Sequence, residues 1–261
     1  MIKTKVIGRV FRQDEIADQI YDMWIETELA QGARPGQFVC VYTKNAAALL
    51  PRPISICEVN EEKTMLRLVY RTVGTGTNEF ADYHAGTEIS LLGPLGNGFP
   101  VEKAAGKRVF LIGGGIGIPP MLQLSKEIKK AGQAYCELSV LGYRNELFLN
   151  TDLEKYSQVY VATEDGSAGT KGTVLDAIKE KGLSGDVIFA CGPMPMLRAI
   201  KEYAAANKME AYISLEEHMA CGVGACLGCV CKTKNVDVHS HVHNSRICTD
   251  GPVYNAEEVE I

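Results

Sequence analysis

Apolar residues in the first hundred positions come in short runs, at 37–42, 54–59, 65–73 and 88–92. Each run is rich in Val, Ile, Leu and Tyr and is bounded by Gly, Pro, Asn and Asp. No helical period joins them, so the pattern predicts short strands and, at this spacing, a small antiparallel barrel or sandwich. Near residue 106 the pattern changes. A buried apolar run at 108–112 leads into a glycine turn at 113–117 and then a helical pattern over 119–131. That helix has Pro119 and Pro120 in its first turn and Lys126, Lys129 and Lys130 toward its end. Strand patterns at 134–141, 158–163, 186–190 and 211–214 follow, with helical patterns at 173–181 and 194–207 between them. This alternation predicts a parallel sheet with crossover helices.

From about residue 215 the chain is polar and too short for a core of its own, and a metal centre is expected to organise it. The expected organisation is a multidomain β plus α/β protein with a barrel at 1–102, an α/β domain at 103–214 and a small C-terminal domain at 215–261. No internal repeat or low-complexity segment interrupts it.

Charge and composition narrow the function. The 261 residues carry 27 Lys+Arg against 32 Asp+Glu, a net charge of −5, and 46% are hydrophobic. That excludes a disordered chain and argues against nucleic acid or an anionic membrane as the main partner, since both are held chiefly by clustered Lys and Arg. The longest uncharged stretch, 109–124, is shorter than the ~18 apolar residues of a spanning helix and is interrupted by glycine and proline. The first residues alternate charged and apolar side chains and lack the apolar core of a signal peptide, so a cytoplasmic location is expected.

Five of the nine cysteines (Cys221, Cys226, Cys229, Cys231 and Cys248) lie in the tail, while Cys40, Cys57, Cys136 and Cys191 are scattered through apolar contexts. In a reducing compartment such a knot of thiols points to a metal site. Four residues separate Cys221 from Cys226 and two separate Cys226 from Cys229, with Cys248 further on. That is the plant-type spacing of a [2Fe-2S] cluster. Three thiolates must converge from one tight loop; Gly222, Gly224 and Gly228 permit the bends and leave amide N–H groups free to point at sulfur. A structural Cys₄ zinc site is the competing reading, although such sites usually use two separated short pairs. Cys231 is an alternative fourth ligand to Cys248. His239, His241 and His243 share one face of an extended segment, and two of them could serve a Rieske-type centre, but the cysteine count makes that unnecessary.

The glycine turn, with Gly113, Gly114, Gly115 and Gly117, sits where a strand hands over to a helix, an arrangement that suits a pyrophosphate. It departs from G-x-G-x-x-G because Ile118 occupies the third glycine position, and Gly142-Tyr143-Arg144 stands where a ribose-binding acid is usual. A tight ligand-free turn is the bland alternative. Cys191, Gly192 and Pro193 follow the fourth strand of the sheet, where groups line the ligand crevice of such folds.

Together these pieces resemble ferredoxin-reductase-type flavoproteins, in which an FAD-binding barrel precedes a nicotinamide-binding α/β domain. The markers are Arg52-Pro53-Ile54-Ser55, Val69-Tyr70-Arg71 leading into Gly74-Thr75-Gly76-Thr77, the turn Gly93-Pro94-Leu95-Gly96, the glycine turn, and Cys191-Gly192-Pro193. The resemblance implies that Arg52 to Ser55 and Val69 to Arg71 contact the flavin, that Gly76 and Thr77 hold its pyrophosphate, and that NAD binds at the glycine turn and at Gly192 and Pro193, with Cys191 as the catalytic residue beside the nicotinamide. Ile54 stands where the family commonly has an aromatic. Taken with the cysteine loop and Cys248, the order of parts resembles the electron-transfer subunits of NAD-linked (type B) dihydroorotate dehydrogenases. That implies an FMN-containing catalytic partner oxidising dihydroorotate in pyrimidine biosynthesis, in a heterotetramer of two catalytic and two electron-transfer subunits.

NAD takes two electrons as a hydride, a [2Fe-2S] centre takes one, and a flavin converts between them. The expected route runs from the partner's FMN through the cluster and FAD to NAD⁺, and nothing in this chain looks like a site for the organic substrate. Two rivals remain: a subunit of a sibling NAD(P)H-linked ferredoxin or sulfide oxidoreductase, in which Arg144 would meet the NADP 2′-phosphate, and a zinc-stabilised non-redox nucleotide-binding module.

Overall fold

The computed structural model describes residues 4–237 and 241–261. Strands β1 (Thr4–Ala17), β2 (Ile20–Glu26), β3 (Phe38–Tyr42), β4 (Arg52–Val59), β5 (Met65–Arg71) and, after helix α1 (Thr75–Ala81), β6 (Glu88–Leu95) close into an antiparallel barrel in the order β1-β2-β5-β4-β3-β6. Its interior is filled by Val10, Met23, Ile25, Val39, Val41, Ile56, Leu66, Leu68, Ile89 and Leu91.

The apolar-run pattern foresees four of these strands and misses β1, β2 and α1. In β1, Gly8 and Val10 face inward while Ile7, Arg9 and Phe11 face out, so no apolar run exists to be seen. In β2, Asp22 is buried by pairing with Arg67 of β5, which places a charge where the pattern expects an apolar residue.

The second domain contains β7 (Arg108–Gly114), α2 (Pro119–Ala131), β8 (Cys136–Tyr143), α3 (Asn150–Leu153), β9 (Gln158–Thr163), β10 (Thr170–Lys171), α4 (Val174–Glu180), β11 (Val187–Cys191), α5 (Met194–Ala206) and β12 (Glu210–Ser214). After the short hairpin of β13 (Val230–Lys232) and β14 (Asn244–Arg246), β15 (Val253–Asn255) returns to the main sheet, whose order is β10-β9-β8-β7-β11-β12-β15. All neighbours are parallel except β15, which runs antiparallel to β12. The tail therefore does not stand apart: Leu215, Met219, Cys229, Ile247 and Cys248 share one core with Phe38, Cys40, Leu92 and Leu95 of the barrel and with Ile213 of the sheet. A segment too polar for its own core is ordered by borrowing two others.

Barrel and sheet are joined as closely. Ala17, Ile20, Cys57 and Val69 of the barrel pack in one cluster with Leu111, Ile118, Met121 and Leu122. Across the same junction Arg67 binds Asp22 through two bonds (2.9 and 2.8 Å), Glu58 at 3.1 Å and Asp152 of α3 at 3.1 Å.

One buried acid in the sheet has a measurable consequence. Glu137 of β8 accepts a hydrogen bond from the Ser125 hydroxyl of α2 at 3.1 Å. Burial pushes its carboxyl up from 4.5 to about 7, although Ser125 and Lys129 pull it down. A raised folded-state value means that its contribution is intact below about pH 4.5 and is lost as pH rises to about 7. Glu137→Gln keeps an acceptor for Ser125 and removes the charge. It is expected to match wild type at pH 4 and to exceed it by about 2 kcal/mol at pH 8 after allowance for solvent screening. Urea unfolding at the two pH values checks this; equal stabilities at pH 8 would refute it.

Candidate functional site

The cysteine loop begins after β12 and lies against the barrel. Gly222 has φ +67° and Gly224 φ +82°, in the left-handed region that favours glycine. A Cβ on Gly222 would lie 3.0 Å from the Cys40 sulfur of β3 and 3.1 Å from Leu95, and one on Gly224 would lie 2.8 Å from the Thr249 methyl. The thiols converge in two pairs: Cys221 with Cys226, and Cys229 with Cys248, with Cys221 also close enough to Cys248 to raise its pKa. Backbone N–H groups of Val223 and Ala225 donate to the Cys221 sulfur at 3.4 and 3.3 Å, and that of Gly228 donates to Cys226 at 3.4 Å. Burial alone would raise the Cys221 thiol, but the N–H groups of Val223, Cys226 and Ala225 together with the Cys226 thiol outweigh it and hold it at about 6. Amide N–H groups aimed at sulfur stabilise thiolate, the form that ligates iron, so this donor set fits a [2Fe-2S] cluster.

Of the two candidates for the distant ligand, Cys248 is buried beside Cys229, while the Cys231 thiol on β13 is hydrogen-bonded to Tyr254. His239 lies outside the described residues. His241 is exposed, and His243 Nδ1 sits 2.9 Å from the Lys234 carbonyl.

On the barrel, residues 52–55 are all half-buried, whereas Ile56 and Cys57 beyond them are buried. Arg52, Pro53, Ile54 and Ser55 therefore present a strand with an uncovered face. Gly76 of α1 lies flat on the Arg52 guanidinium: a Cβ there would be 2.5 Å from Nε and 2.8 Å from Cζ. Two motifs far apart in sequence thus meet. The cradle combines a fixed cation with a close backbone approach, which fits a diphosphate.

Other expected contacts have different surroundings. Thr77 is buried, and its hydroxyl accepts from the Val73 and Gly74 N–H groups at 2.9 and 3.2 Å. The Tyr70 ring stacks on Tyr21 at 5.8 Å, and its hydroxyl donates to Gln13 Oε1 at 2.9 Å. Burial raises that phenol well above its ordinary value. Gln13, which no sequence signal marks, also donates to the carbonyls of Phe80, Ala81 and Tyr83, tying α1 to the barrel. Val69 is buried in the interdomain cluster, and Arg71 is exposed.

In the sheet the chain runs outward from β7 through β8 to β10 and then crosses to β11 on the other side of β7. The strand order reverses between β7 and β11, where open sheets of this kind bind ligands. Both expected nicotinamide motifs stand at that point, with Cys191 opposite Gly113 in register. Packing requires three of the glycines. A Cβ would lie 2.9 Å from Ile118 Cα at Gly113, 2.5 Å from the Met196 sulfur at Gly114, and 2.3 Å from the Cys191 carbonyl oxygen at Gly117. Gly115, at φ +53°, has open space beside it. Gly192 packs against Gly114, and Pro193 caps α5 at its exposed end. Burial pushes the Cys191 thiol to about 12, Glu216 adding to this and Ser214 opposing it, so at neutral pH it is a thiol and not a thiolate. Arg144 is exposed just past β8. The 3₁₀ turn Gly115–Gly117 packs on β5, the strand that carries Val69, Tyr70 and Arg71.

This arrangement defines the class: an oxidoreductase of the ferredoxin-reductase fold with an iron–sulfur extension. Residues 111–202 match the oxidoreductase NAD-binding domain, and residues 216–260 match the iron-sulfur cluster binding domain of dihydroorotate dehydrogenase B. The chain is similar to the dihydroorotate dehydrogenase B (NAD(+)) electron transfer subunits of Geobacillus sp. (strain WCH70), at 42% identity over 96% of both chains, and of Bacillus velezensis, at 44% over 95% of both. The Listeria monocytogenes counterpart is 40% identical over the full length of both chains. Among solved structures, an NADH-dependent reduced ferredoxin-NADP oxidoreductase chain superposes with a TM-score of 0.87 at 29% identity, covering 100% of this chain and 91% of that one. A ferredoxin NADP+ reductase from Neisseria gonorrhoeae shares the fold, with a TM-score of 0.66 at 15% identity over 83% of this chain and 95% of that one.

The chain belongs to the family of dihydroorotate dehydrogenase B (NAD(+)) electron transfer subunits. Members of that family transfer electrons on behalf of a catalytic partner subunit. No helix among the described residues is long and apolar enough to cross a membrane.

Proposed function

We propose that this chain relays electrons between an FMN-containing catalytic subunit that oxidises dihydroorotate and NAD⁺, as half of a cytoplasmic heterotetramer of two catalytic and two electron-transfer subunits. Residues 1–102 hold FAD, 103–214 bind NAD, and 215–261 hold the cluster through Cys221, Cys226, Cys229 and Cys248. When bound, the cluster exchanges single electrons, FAD converts between single electrons and a pair, and NAD⁺ accepts a hydride.

The observation that carries the reading is the place of β3 and β4 between the parts. Cys40 of β3 pairs in register with Pro53 of β4, while its sulfur faces Gly222 of the cysteine loop. The cluster loop and the flavin motif are therefore separated by one inter-strand spacing, about 4.8 Å, plus side chains. Arg52 and Gly76 hold the diphosphate, residues 52–55 offer the uncovered strand face, and the turn at 113–117 with residues 191–193 receives the nicotinamide nucleotide. Cys191 contributes shape there, since its proton stays in place at neutral pH.

Arg52→Ala tests the flavin assignment. Loss of a charge-assisted phosphate contact worth ~1.5–3 kcal/mol should weaken FAD retention by roughly 10- to 100-fold. FAD content after gel filtration reports it, and undiminished flavin would remove Arg52 from the site.

A further inference from the structure

Helix α2 carries a polar residue in its buried stripe. Gln123 is 3% exposed among Met121, Leu122 and Leu124, a position at which an unpaired amide is costly. Its partner is in the other domain: the Val59 N–H of β4 donates to Gln123 Oε1 at 2.8 Å, while Gln123 Nε2 donates to Glu127 at 2.9 Å. Lys126, one turn along, donates to the Val59 carbonyl at 3.0 Å and to Glu58 at 3.2 Å.

The reason lies in the barrel's register. β3 pairs with β4 over residues 52–55, and one further bond runs from Ile56 N–H to the Gln37 carbonyl at 3.0 Å, so the edge of β4 beyond Ile56 has no neighbouring strand on that side. Side chains of α2 take the place of that strand, satisfying both the N–H and the C=O of Val59. The strand that begins with Arg52, Pro53, Ile54 and Ser55 is thereby fastened to the helix that begins at the glycine turn. Gln123 is four residues from the start of α2, about 6 Å along its axis. Val59 is four residues beyond Ser55, about 13 Å along the strand.

We infer that Gln123 is a positioning residue: through Val59 it fixes how closely the flavin strand and the nicotinamide turn approach each other, and so sets the rate of hydride transfer between them. The inference rests on the flavin and nicotinamide sites proposed above. Gln123 touches neither cofactor site and binds neither group.

The test uses the flavin-loaded protein and NADH. In anaerobic stopped flow, Gln123→Met should keep its flavin and its NADH affinity within about twofold. Its limiting rate of flavin bleaching should fall at least about tenfold, because small misplacements of reacting groups cost that much or more. The deuterium isotope effect with 4-deuterated NADH should rise, and hydrogen exchange at the Val59 amide should become faster. The double variant Gln123→Glu with Glu127→Gln swaps amide and carboxylate within that pair, so it keeps both an acceptor for Val59 and the bond between the two side chains; it should recover most of the rate, which a purely structural loss would not predict. A Gln123→Met rate within twofold of wild type, loss of flavin from that variant, or a swapped double variant as slow as Gln123→Met would each overturn the inference. Should Gln123→Met not fold, Lys126→Met is read by the same rate and isotope criteria. Undiminished flavin in Arg52→Ala counts against the site assignment, whereas unchanged bleaching in Gln123→Met counts against the positioning role alone.

Discussion

Cys226→Ser is expected to strip the protein of iron while leaving FAD bound. Cys226 is exposed, and its sulfur accepts an N–H from Gly228 and pairs with Cys221. It lies outside the shared core, so the serine itself should cost the metal-free fold no more than ~0.5 kcal/mol, the usual range for a surface change, apart from the stability lost with the cluster. A serine hydroxyl is a far poorer ligand than a thiolate for iron in a cluster held by cysteines. Iron per protein should therefore fall to a small fraction of the wild-type value, with loss of the cluster's visible absorption. FAD content should not change, because Arg52 and Gly76, which hold the diphosphate, lie outside the cysteine loop. Cys231→Ser should retain its iron, since that thiol is engaged with Tyr254. Normal iron in Cys226→Ser would show that the ligand assignment is wrong.

Arg67→Met should be the most damaging single change to stability. The guanidinium is 9% exposed and neutralises three carboxylates, of which Asp22 is 6% and Glu58 15% exposed. Methionine fills the space of the stem but leaves the buried Asp22 without a cation, while Glu58 keeps Lys126 and Asp152 keeps Lys155; stranding one buried acid in this way typically costs about 3–5 kcal/mol. The third acid, Asp152, comes from the other domain. The loss should therefore appear both as a lower unfolding midpoint and as a weaker junction between barrel and sheet.

The pH dependence has a definite sign. Burial pushes Asp152 up, but Lys155 and Arg67 more than reverse this and hold it below its ordinary 3.8. A lowered carboxylate adds stability above its ordinary value and loses it as pH falls through the folded one. The difference between wild type and Arg67→Met should consequently be full at pH 7 and shrink below about pH 4. Urea denaturation at both pH values measures it, and a loss under about 1 kcal/mol at pH 7 would show that Asp22 finds another partner.

How much could be read from the linear chain varied with the kind of signal. The helix over 119–131 carries its own boundaries, with prolines where N–H groups need no partner and Gly132 at φ +63° as the left-handed stop. The strand over 158–163 is likewise bounded by local signals. Strand β1 was hidden because it faces water on one side, and β2 because Asp22, which interrupts its apolar residues, is buried and neutralised by a residue 45 positions away. Tyr70 could be picked out as part of a motif. That its hydroxyl is taken up by Gln13 depends on a contact 57 residues distant in sequence. The closeness of Cys40 to the cysteine loop had no signature beyond being one more buried thiol.

The linear chain carries the local features: the spacing of Cys221, Cys226 and Cys229, the glycine turn at its strand-to-helix junction, and the order of barrel, sheet and cysteine tail. These are set by covalent spacing and by backbone preferences within a few residues. Packing between distant segments is what brings Arg52 under Gly76, sets the Cys248 thiol against that of Cys229, returns β15 to the sheet and lays Gln123 over the open edge of β4. Each of these depends on burial and on pairing of polar groups between segments far apart in the chain, and such pairing leaves no period or spacing to read.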